Sequence, residues 1–309
     1  MLNWDDLRHF LAIVREGSIG AAAKSLRVNQ STTQRRLQAL EQALGCALVE
    51  RHATGYQLTP QGKMLVASVS DVEAAVYAVQ RRVASFDNKD VGPVRVTCLV
   101  SVGQRIIGSG LLNAFHARHP GMIVELLMDQ RMLDLSKGEA DIAIRGGSPG
   151  PGALVARKIA EPPWGIYASR AFVERYGRPA EPRDIERFSV VELTDEFENL
   201  PAVRWMRAHA PEAKVAVRCA NIPGVHLAVR AGAGLAPLPA IYAADDADLV
   251  SVFGTIPELT YPMFLVAHKD IRWRPRVNAF FEFCVHELKP VLLHGVMGAH
   301  RGGRRSGLR

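Results

Sequence analysis

Apolar residues near the start of the chain recur with helical spacing between short polar breaks. Four of them occupy the i, i+3, i+4 and i+7 positions of one helix face: Leu7, Phe10, Leu11 and Val14. This pattern predicts an amphipathic helix over residues 5–16. Gly17 is expected to end that helix, and Ser18 is a favourable N-cap for the next one.

A short second helix is predicted next, followed by a turn and a longer third helix. Small residues dominate the second helix and permit close packing: Ala21, Ala22, Ala23 and Leu26. Arg27 and Val28 are predicted to form the turn, and Asn29 is predicted to cap the third helix. The third helix has an inward face at four positions: Thr33, Leu37, Leu40 and Leu44.

The opposite face of the third helix is polar near its N-terminus. The predicted DNA contacts there are Asn29, Gln30, Ser31, Thr32, Gln34, Arg35 and Gln38. Two helices joined by a tight turn, the second with one apolar and one polar face, are typical of a helix-turn-helix that enters the DNA major groove. Gln can hydrogen-bond adenine, and Arg can bind guanine or a phosphate. An ordinary solvated helix face is the alternative interpretation.

Residues 49–58 (VERHATGYQL) predict a β-hairpin with its tip at residues 53–55. Such a hairpin after a helix-turn-helix is a wing, and Arg51 and His52 are predicted to contact phosphate or the minor groove. The local charge supports this interpretation. Residues 18–63 contain six Lys or Arg side chains and only two Glu side chains.

A long helix is predicted from Pro60 to about Asp87, with Thr59 as its cap. Apolar residues along it alternate between spacings of four and three: Leu65, Val69, Val72, Val76, Val79 and Val83. A mean spacing of 3.5 residues predicts a coiled-coil seam, and these residues are the predicted dimer contacts. The alternative is a helix that packs on its own domain.

After a polar linker at residues 88–93, the pattern changes to alternating strands and helices. Strands are predicted at 94–100, 123–129 and 141–145, with helices at 104–119 and 133–138. A second such region spans 162–264 and includes WGIYAS, FSVVEL, KVAVRCA and GLAPLP, with helices predicted at 170–176 and near 224–232. A strand at 262–270 and a helix at 276–288 are expected to return to the first region. This alternation predicts parallel sheets covered by helices.

Doubly wound sheets bind ligands beyond the carboxyl ends of their strands. The loops at those ends supply the predicted effector contacts: Ser101, Gln104, Gln130, Arg145, Gly146, Thr194 and Asn221. A helix N-terminus near Ser101 and the charge of Arg145 favour a small acidic molecule. Two alternatives stay open: Arg145 could pair with an internal carboxylate, and Asn221 could only satisfy a turn.

Composition narrows the class of protein. The 309 residues carry a formal net charge of +7, which favours polyanionic partners. The four cysteines are far apart, and neither a signal-peptide pattern nor an apolar run of roughly 18 residues is present, so a cytoplasmic protein that does not enter the membrane is expected. No nucleophile elbow, P-loop, metal-ligand cluster or acid–base pair is apparent. An enzyme is therefore not expected, and no cofactor or metal is predicted.

Taken together, these segments resemble the LysR-type transcriptional regulators. The matching stretches are AAAKSL at 21–26, NQSTTQRRLQALEQALG at 29–45, ERHATGYQLTPQG at 50–62 and DIAIRGG at 141–147. The resemblance covers residues 3–290 and implies base or phosphate contact from Gln30, Ser31, Gln34 and Arg35. It also implies two doubly wound lobes, like those of periplasmic solute-binding proteins, with an effector in the cleft.

The chain departs from the family pattern at four positions. Arg27 stands where the family usually has Gly in the turn, and a positive φ there would cost on the order of 1 kcal/mol. Ser31 replaces a frequent Pro, and Thr33 replaces a usual apolar residue. Gln34 replaces a usual Ser, which is expected to change which bases are contacted.

The sequence therefore predicts a multi-domain α+β protein that regulates transcription. The predicted parts are a winged helix-turn-helix (1–59), a dimerising linker helix (60–91), an effector domain with lobe I (92–161 and 265–290) and lobe II (162–264), and a disordered basic tail (291–309). A homodimer or homotetramer would bind a dyad-symmetric promoter site, respond to a small effector and contact RNA polymerase. The alternative is a DNA-binding protein whose lobes only oligomerise.

Overall fold

The chain divides into two structural units, residues 1–84 and residues 85–309. The computed structural model describes residues 2–52, 55–84, 91–128, 132–150, 152–244 and 246–293. The first unit contains α1 (Trp4–Glu16), α2 (Ile19–Leu26), α3 (Gln30–Leu44), β1 (Val49–His52), β2 (Gly55–Leu58) and α4 (Pro60–Ala84).

The second unit is built from strands and helices in alternation. Its elements are β3 (Gly92–Cys98), α5 (Val100–Gly108), α6 (Leu111–Arg118), β4 (Met122–Met128), β5 (Ile142–Gly146), β6 (Leu154–Ala160), β7 (Trp164–Ser169), α7 (Arg170–Tyr176), β8 (Ser189–Leu193), α8 (Pro201–His209), β9 (Lys214–Cys219), α9 (Ile222–Arg230), β10 (Ala236–Pro239), α10 (Ala240–Ala244), β11 (Leu249–Thr255), β12 (Met263–His268) and α11 (Pro275–Leu293). Short 3₁₀ helices occur at Leu135–Lys137, Pro182–Arg187, Asp195–Phe197 and Pro257–Leu259.

The boundaries of the first helices follow the predicted caps. Gly17 adopts φ +70° at the end of α1, and its N–H donates to the carbonyl of Ile13 at 2.9 Å. The hydroxyl of Ser18 accepts a hydrogen bond from the N–H of Ala21 at 3.1 Å and so caps α2. Both predictions are confirmed, because each depends on residues that are neighbours in sequence.

The turn between α2 and α3 differs from the prediction in one respect. Asn29 occupies the N-cap position of α3, but its side chain makes no capping hydrogen bond. Arg27 adopts φ +57° and is the only non-glycine residue with positive φ among the described residues. The left-handed conformation is unfavourable for a residue with a Cβ atom, so the turn is strained at Arg27.

One apolar core holds the first unit together. Phe10, Leu40, Leu48 and Val69 are each at most 2% exposed and belong to the same buried cluster. These residues come from α1, α3, the start of the wing and α4. A single core therefore fixes α3, the wing and the start of α4 relative to one another.

The long helix α4 has 25 residues and spans about 38 Å. The hydroxyl of Thr59 accepts from the N–H of Gly62 at 2.9 Å, as expected for its cap. Glu73 on α4 is buried and forms an ion pair with Arg15 near the end of α1. This pair ties the long helix to the helix-turn-helix. Residues 85–87 lie outside the described residues.

The predicted coiled-coil seam divides into two parts. Val69 is buried in the core of its own unit, so the single chain does not present it to a partner. Leu65 is half-buried against the same core, and its role as a dimer contact stays a prediction. Val72, Val79 and Val83 are 42%, 62% and 58% exposed. The start of α4 is needed to close the winged unit, and only the later part of the helix leaves an apolar stripe uncovered.

Lobe I, which comprises β3–β6, β12, α5, α6 and α11, contains a mixed five-stranded sheet in the order β4-β3-β5-β12-β6. Strand β3 is parallel to β4 and β5, whereas β12 is antiparallel to β5 and β6. Phe115 on α6 and Phe280 on α11 are fully buried against this sheet. The prediction of a parallel sheet is therefore wrong for part of it, because β12 enters from lobe II and runs in the opposite direction.

Lobe II comprises β7–β11 and α7–α10. Strand β7 lies between β10 and β11, antiparallel to both, and all six of its residues are buried. Strands β8 and β9 are parallel, and two backbone hydrogen bonds of 2.9 Å join β8 to Leu235 just before β10. The lobe is again mixed and not wholly parallel. The chain crosses between the lobes at residues 161–163 and 256–262. Both crossings lie near the predicted lobe boundaries, at 161/162 and 264/265.

Four elements have no counterpart in the sequence prediction: β6, α8, α10 and β11. Strands β6 and β11 are edge strands with partly exposed residues, so neither has a strong apolar pattern. Helix α8 begins after Leu200, which offers no side-chain cap.

Two helices in lobe I have different bounds from those predicted. The helix expected over 104–119 is two helices, because Gly110 takes φ +76° between α5 and α6. Helix α11 continues to Leu293, so residues 291–293 are helical and the predicted disordered tail begins too early. Residues 294–309 lie outside the described residues.

Arg27→Gly is expected to raise the free energy of unfolding of the first unit by about 1 kcal/mol, because Gly adopts positive φ without steric cost. Lys24→Gly is the matched control. Lys24 is exposed on α2 in helical conformation, so the same replacement should cost about 1 kcal/mol. Native-state hydrogen exchange of peptides from residues 4–58 measures both changes in the full chain. A loss of stability in Arg27→Gly would show that the Arg27 side chain stabilises the turn.

Candidate functional sites: a DNA-binding face and an effector cleft

Helix α3 presents its two predicted faces in opposite directions. Thr33, Leu37 and Leu40 are 0%, 4% and 0% exposed and lie in the interior. The exposed residues are Asn29, Gln30, Ser31, Gln34, Arg35 and Gln38, and Thr32 is half-buried. The sequence thus predicted which side chains are accessible, because helical periodicity alone determines the face on which each residue lies. Their contacts with bases stay predictions.

Polar contacts hold the middle and the last turn of α3 in the first unit. Arg36, in the middle, donates to the buried carboxylate of Asp6 at 3.2 Å and lies 3.8 Å from that of Asp5. In the last turn, the carboxylate of Glu41 accepts from the N–H groups of Leu48 and Val49 at 2.7 and 3.3 Å. Arg36 is therefore engaged within the protein, whereas the neighbouring Arg35 is exposed.

The wing is the predicted hairpin, with β1 and β2 paired in antiparallel register from Val49–Leu58 to His52–Gly55. The N–H of Tyr56 donates to the carbonyl of Gly17 at 3.1 Å, which anchors the wing to the end of α1. Arg51 and His52 are exposed on β1. Both can therefore reach a polyanion beside α3. The tip residues 53 and 54 lie outside the described residues.

The second unit contains a cavity of about 1320 Å³ between its two lobes. Of the predicted effector contacts, four line it: Ser101, Gln104, Arg145 and Gly146. Apolar side chains complete much of the wall, among them Trp164, Phe197 and Leu200. A cavity with mainly apolar walls and a few polar groups is typical of a small-molecule site.

Two other predicted effector contacts, Asn221 and Thr194, do not line the cavity. The Oδ1 atom of Asn221 accepts from the N–H of Gly224 at 2.7 Å and caps α9, which is the alternative that the sequence left open. The hydroxyl of Thr194 is buried without a hydrogen-bond partner and does not line the cavity. Gln130 lies outside the described residues. A position after a strand end predicts proximity to the cleft, but the direction of the side chain depends on the loop.

Arg145 is held by backbone carbonyls. Its guanidinium donates to the carbonyl oxygen of Leu133 and, at 3.3 Å, to that of Pro149. Burial lowers the pKa of Arg145, while the nearby carboxylate of Asp134 acts in the opposite direction. The group remains cationic because an arginine titrates far above neutral pH. Arg145 therefore links two loops of lobe I and adds positive charge to the cavity wall.

Gly146 permits the close approach of the segment that returns from lobe II. A Cβ atom at this position would lie 2.5 Å from the ring of Tyr261. Tyr261 also lines the cavity. Gly146 thus shapes the cleft by its lack of a side chain.

A polar cluster on lobe II forms part of the same wall and was missed by sequence reasoning. The Nε2 atom of His226 lies 3.1 Å from a carboxylate oxygen of Asp246, and Nε of Arg230 lies 3.4 Å from it. The rings of His226 and Tyr242 are 4.8 Å apart. No local signal identifies this cluster, because α9 and the segment after α10 are brought together only by the fold.

Two groups from lobe I reach this part of lobe II. Arg105 on α5 donates to the carbonyl of Ile241 at 3.1 Å, which links the lobes directly. Burial raises the pKa of Tyr242 to about 12, with Ser101 and Arg105 acting in the opposite direction. The phenol is therefore neutral at physiological pH.

The thiols have the character of packing groups. Burial raises the pKa of Cys98 to about 11 and also raises the pKa of Cys284. A thiol that stays protonated is a poor nucleophile and a poor metal ligand. Within the described ranges, no group of three or more His, Cys, Asp or Glu side chains could hold a metal ion.

Comparison with known proteins assigns both units. Residues 4–63 match the model of the bacterial regulatory helix-turn-helix protein, lysR family, and residues 87–289 match the model of the LysR substrate binding domain. The chain belongs to the LysR family of transcriptional regulators. The resemblance seen in the sequence is therefore confirmed, and so is the combination of a winged helix-turn-helix with a two-lobed α/β domain.

Relatives of this LysR-type regulator are regulators of transcription and not enzymes. An HTH-type transcriptional regulator of Xanthomonas campestris pv. campestris is 32% identical over 59% of this chain and 53% of its own length, so the chain spans about half of that relative. The Mau operon transcriptional activator of Paracoccus denitrificans is 28% identical over 79% of this chain and 82% of its own length.

The fold is also that of a solved regulator. The full-length Vibrio cholerae virulence activator AphB matches 92% of this chain and 99% of its own chain, with a TM-score of 0.58 and 20% sequence identity. At that identity the match shows a shared fold. Among the described residues of this LysR-type regulator, no helix is both long enough and apolar enough to cross a membrane.

Arg35→Ala is expected to weaken specific DNA binding by about 1–3 kcal/mol, because it removes an exposed guanidinium from the DNA-binding face. Arg36→Ala is the contrasting variant. It should lower stability more than it lowers the affinity of the folded protein, because Arg36 is paired with Asp6. Electrophoretic mobility shift measures affinity, and thermal unfolding measures stability. Unchanged affinity in a folded Arg35→Ala protein would refute the contact role of Arg35.

Proposed function

We propose that this LysR-type regulator binds a dyad-symmetric promoter site as a dimer or a pair of dimers and responds to a small acidic effector. The DNA-binding part rests on the exposed polar face of α3 beside a basic wing. A single helix-turn-helix buries little DNA surface, and a symmetric pair contacts two half-sites. Acting on promoters, the protein would work in the cytoplasm and contact RNA polymerase.

Dimerisation is supported by the later part of α4. Val72, Val79 and Val83 follow the spacing of a coiled-coil seam, and each is exposed in the single chain. An apolar stripe on a helix is stabilised when a second copy covers it. Tying α4 to α1 through the Arg15–Glu73 pair would transmit the geometry of that dimer to the recognition helix.

Effector binding rests above all on the cavity between the lobes. An open cavity of about 1320 Å³ with polar groups in its wall argues against the alternative that the lobes only oligomerise. An acidic effector is supported by the positive charges of Arg105 and Arg145 in the cavity wall. It is also supported by Ser101 near the start of α5, since the N–H groups at a helix N-terminus attract anions. Because Arg105 links the lobes, an acid that competes for its guanidinium would change the balance between lobe arrangements.

Purified protein is expected to protect a dyad-symmetric DNA site in a footprint at both low and moderate salt. Base contacts add affinity that survives when phosphate contacts weaken with salt. The probe is the DNA flanking the gene of this protein, with a random duplex library as a second source of sites. Diffuse protection that disappears at the higher salt, from both sources, would contradict specific binding.

A panel of small carboxylic acids and their neutral amides tests the effector class by thermal shift of the full chain. At least one acid is expected to raise the unfolding temperature and change operator affinity, with its amide inactive. Ser101→Ala should lower the binding affinity for that acid about fivefold, as expected for one lost hydrogen bond. Thr194→Val is the matched control, since Thr194 does not line the cavity. Binding by amides alone would refute the acidic class, and binding by neither would favour lobes that only oligomerise.

A further inference from the structure

A buried polar pair lies in the core of the helix-turn-helix. The Nδ1 atom of His9 on α1 is 3.1 Å from the hydroxyl oxygen of Thr33 on α3. His9 is 6% exposed and Thr33 is fully buried, in a unit whose core is otherwise mainly apolar. Hydrogen bonds between side chains in such a core depend on direction as well as distance, in contrast to apolar contacts.

Thr33 is placed so that this bond acts on the DNA-binding face. It lies on the inward side of α3, opposite the outward-facing Ser31 and Arg35. A rotation of α3 about its axis would move the hydroxyl of Thr33 away from His9 and would also redirect Gln34 and Arg35. An apolar residue at position 33 would fill the space without selecting one rotation.

The charges around His9 favour its neutral form. Burial lowers the pKa of His9, and the guanidinium groups of Arg8 on α1 and Arg36 on α3 lower it further. The carboxylates of Asp5 and Asp6 on α1 act in the opposite direction. The Thr33 hydroxyl can donate to Nδ1 of a neutral imidazole, and it can accept from Nδ1 when that nitrogen carries a proton, so the contact can form in either direction.

We infer that the His9–Thr33 hydrogen bond is a positioning contact for operator recognition, which fixes the rotation of α3. It acts through the side chains of α3 and does not itself touch DNA. The inference rests on the proposed operator binding by α3.

The lowered pKa of His9 sets the direction in which folding stability depends on pH. His9 titrates below its ordinary value of 6.5 in the folded protein and near that value in the unfolded chain. The stability that the neutral group contributes is therefore complete above about pH 6.5 and is lost as the pH falls from there through the folded-state pKa.

The test compares specific with non-specific binding, using a site selected from a random duplex library by the wild-type protein and a scrambled duplex. Thr33→Val should lower the specific-to-non-specific affinity ratio about tenfold, since it leaves a buried imidazole without its partner. Thr33→Ser, which keeps the hydroxyl, should stay within about twofold of the parent.

A second pair of variants tests the His9 side of the contact. His9→Gln keeps a hydrogen-bonding group at position 9, so its affinity ratio should stay within about twofold of the parent's. His9→Leu should lower the ratio about tenfold, as Thr33→Val does. If Thr33→Val or His9→Leu keeps the parent's ratio, the positioning role is wrong. Failure of the proposed function would look different, because no specific site would be selected by the wild-type protein.

Discussion

The arrangement of the first unit depends on one small apolar core shared by three helices. Phe10 of α1, Leu40 of α3 and Val69 of α4 are buried in a single cluster, and the wing adds Leu48. A unit of this size buries a modest fraction of its surface, so each of these residues matters for stability. Because the same core holds α3 and the start of α4, a displacement of one of these helices displaces the other.

Polar contacts fix the relative orientation of the helices around that core. Arg15 with Glu73 sets the relation of α1 to α4, and Arg36 with Asp6 sets the relation of α3 to α1. Apolar packing tolerates small rotations, whereas these pairs are broken by them. The outward face of α3 can therefore be held in a defined orientation by residues that never approach DNA.

The second unit derives its cleft from the way the chain passes between the lobes. Strand β12 lies beside β5 although β7–β11 separate them in sequence, and this return closes the sheet of lobe I. The same crossing places Tyr261 against Gly146 at the cavity. The lobes are joined by two chain crossings and by the Arg105–Ile241 hydrogen bond. Because these connections are few, a ligand between the lobes can change their arrangement.

The sequence by itself determined the two faces of α3, the caps at Gly17 and Ser18 and the hairpin, because each depends on neighbouring residues and on helical or strand periodicity. Only the tertiary structure decided that Val69 closes its own core, that Arg145 binds backbone carbonyls, and that His226 and Asp246 share the cleft wall. The mixed sheets were also decided at that level, since strand direction depends on where a distant segment returns. Local patterns specify which face of an element is apolar, but the partner of that face is chosen by the whole fold.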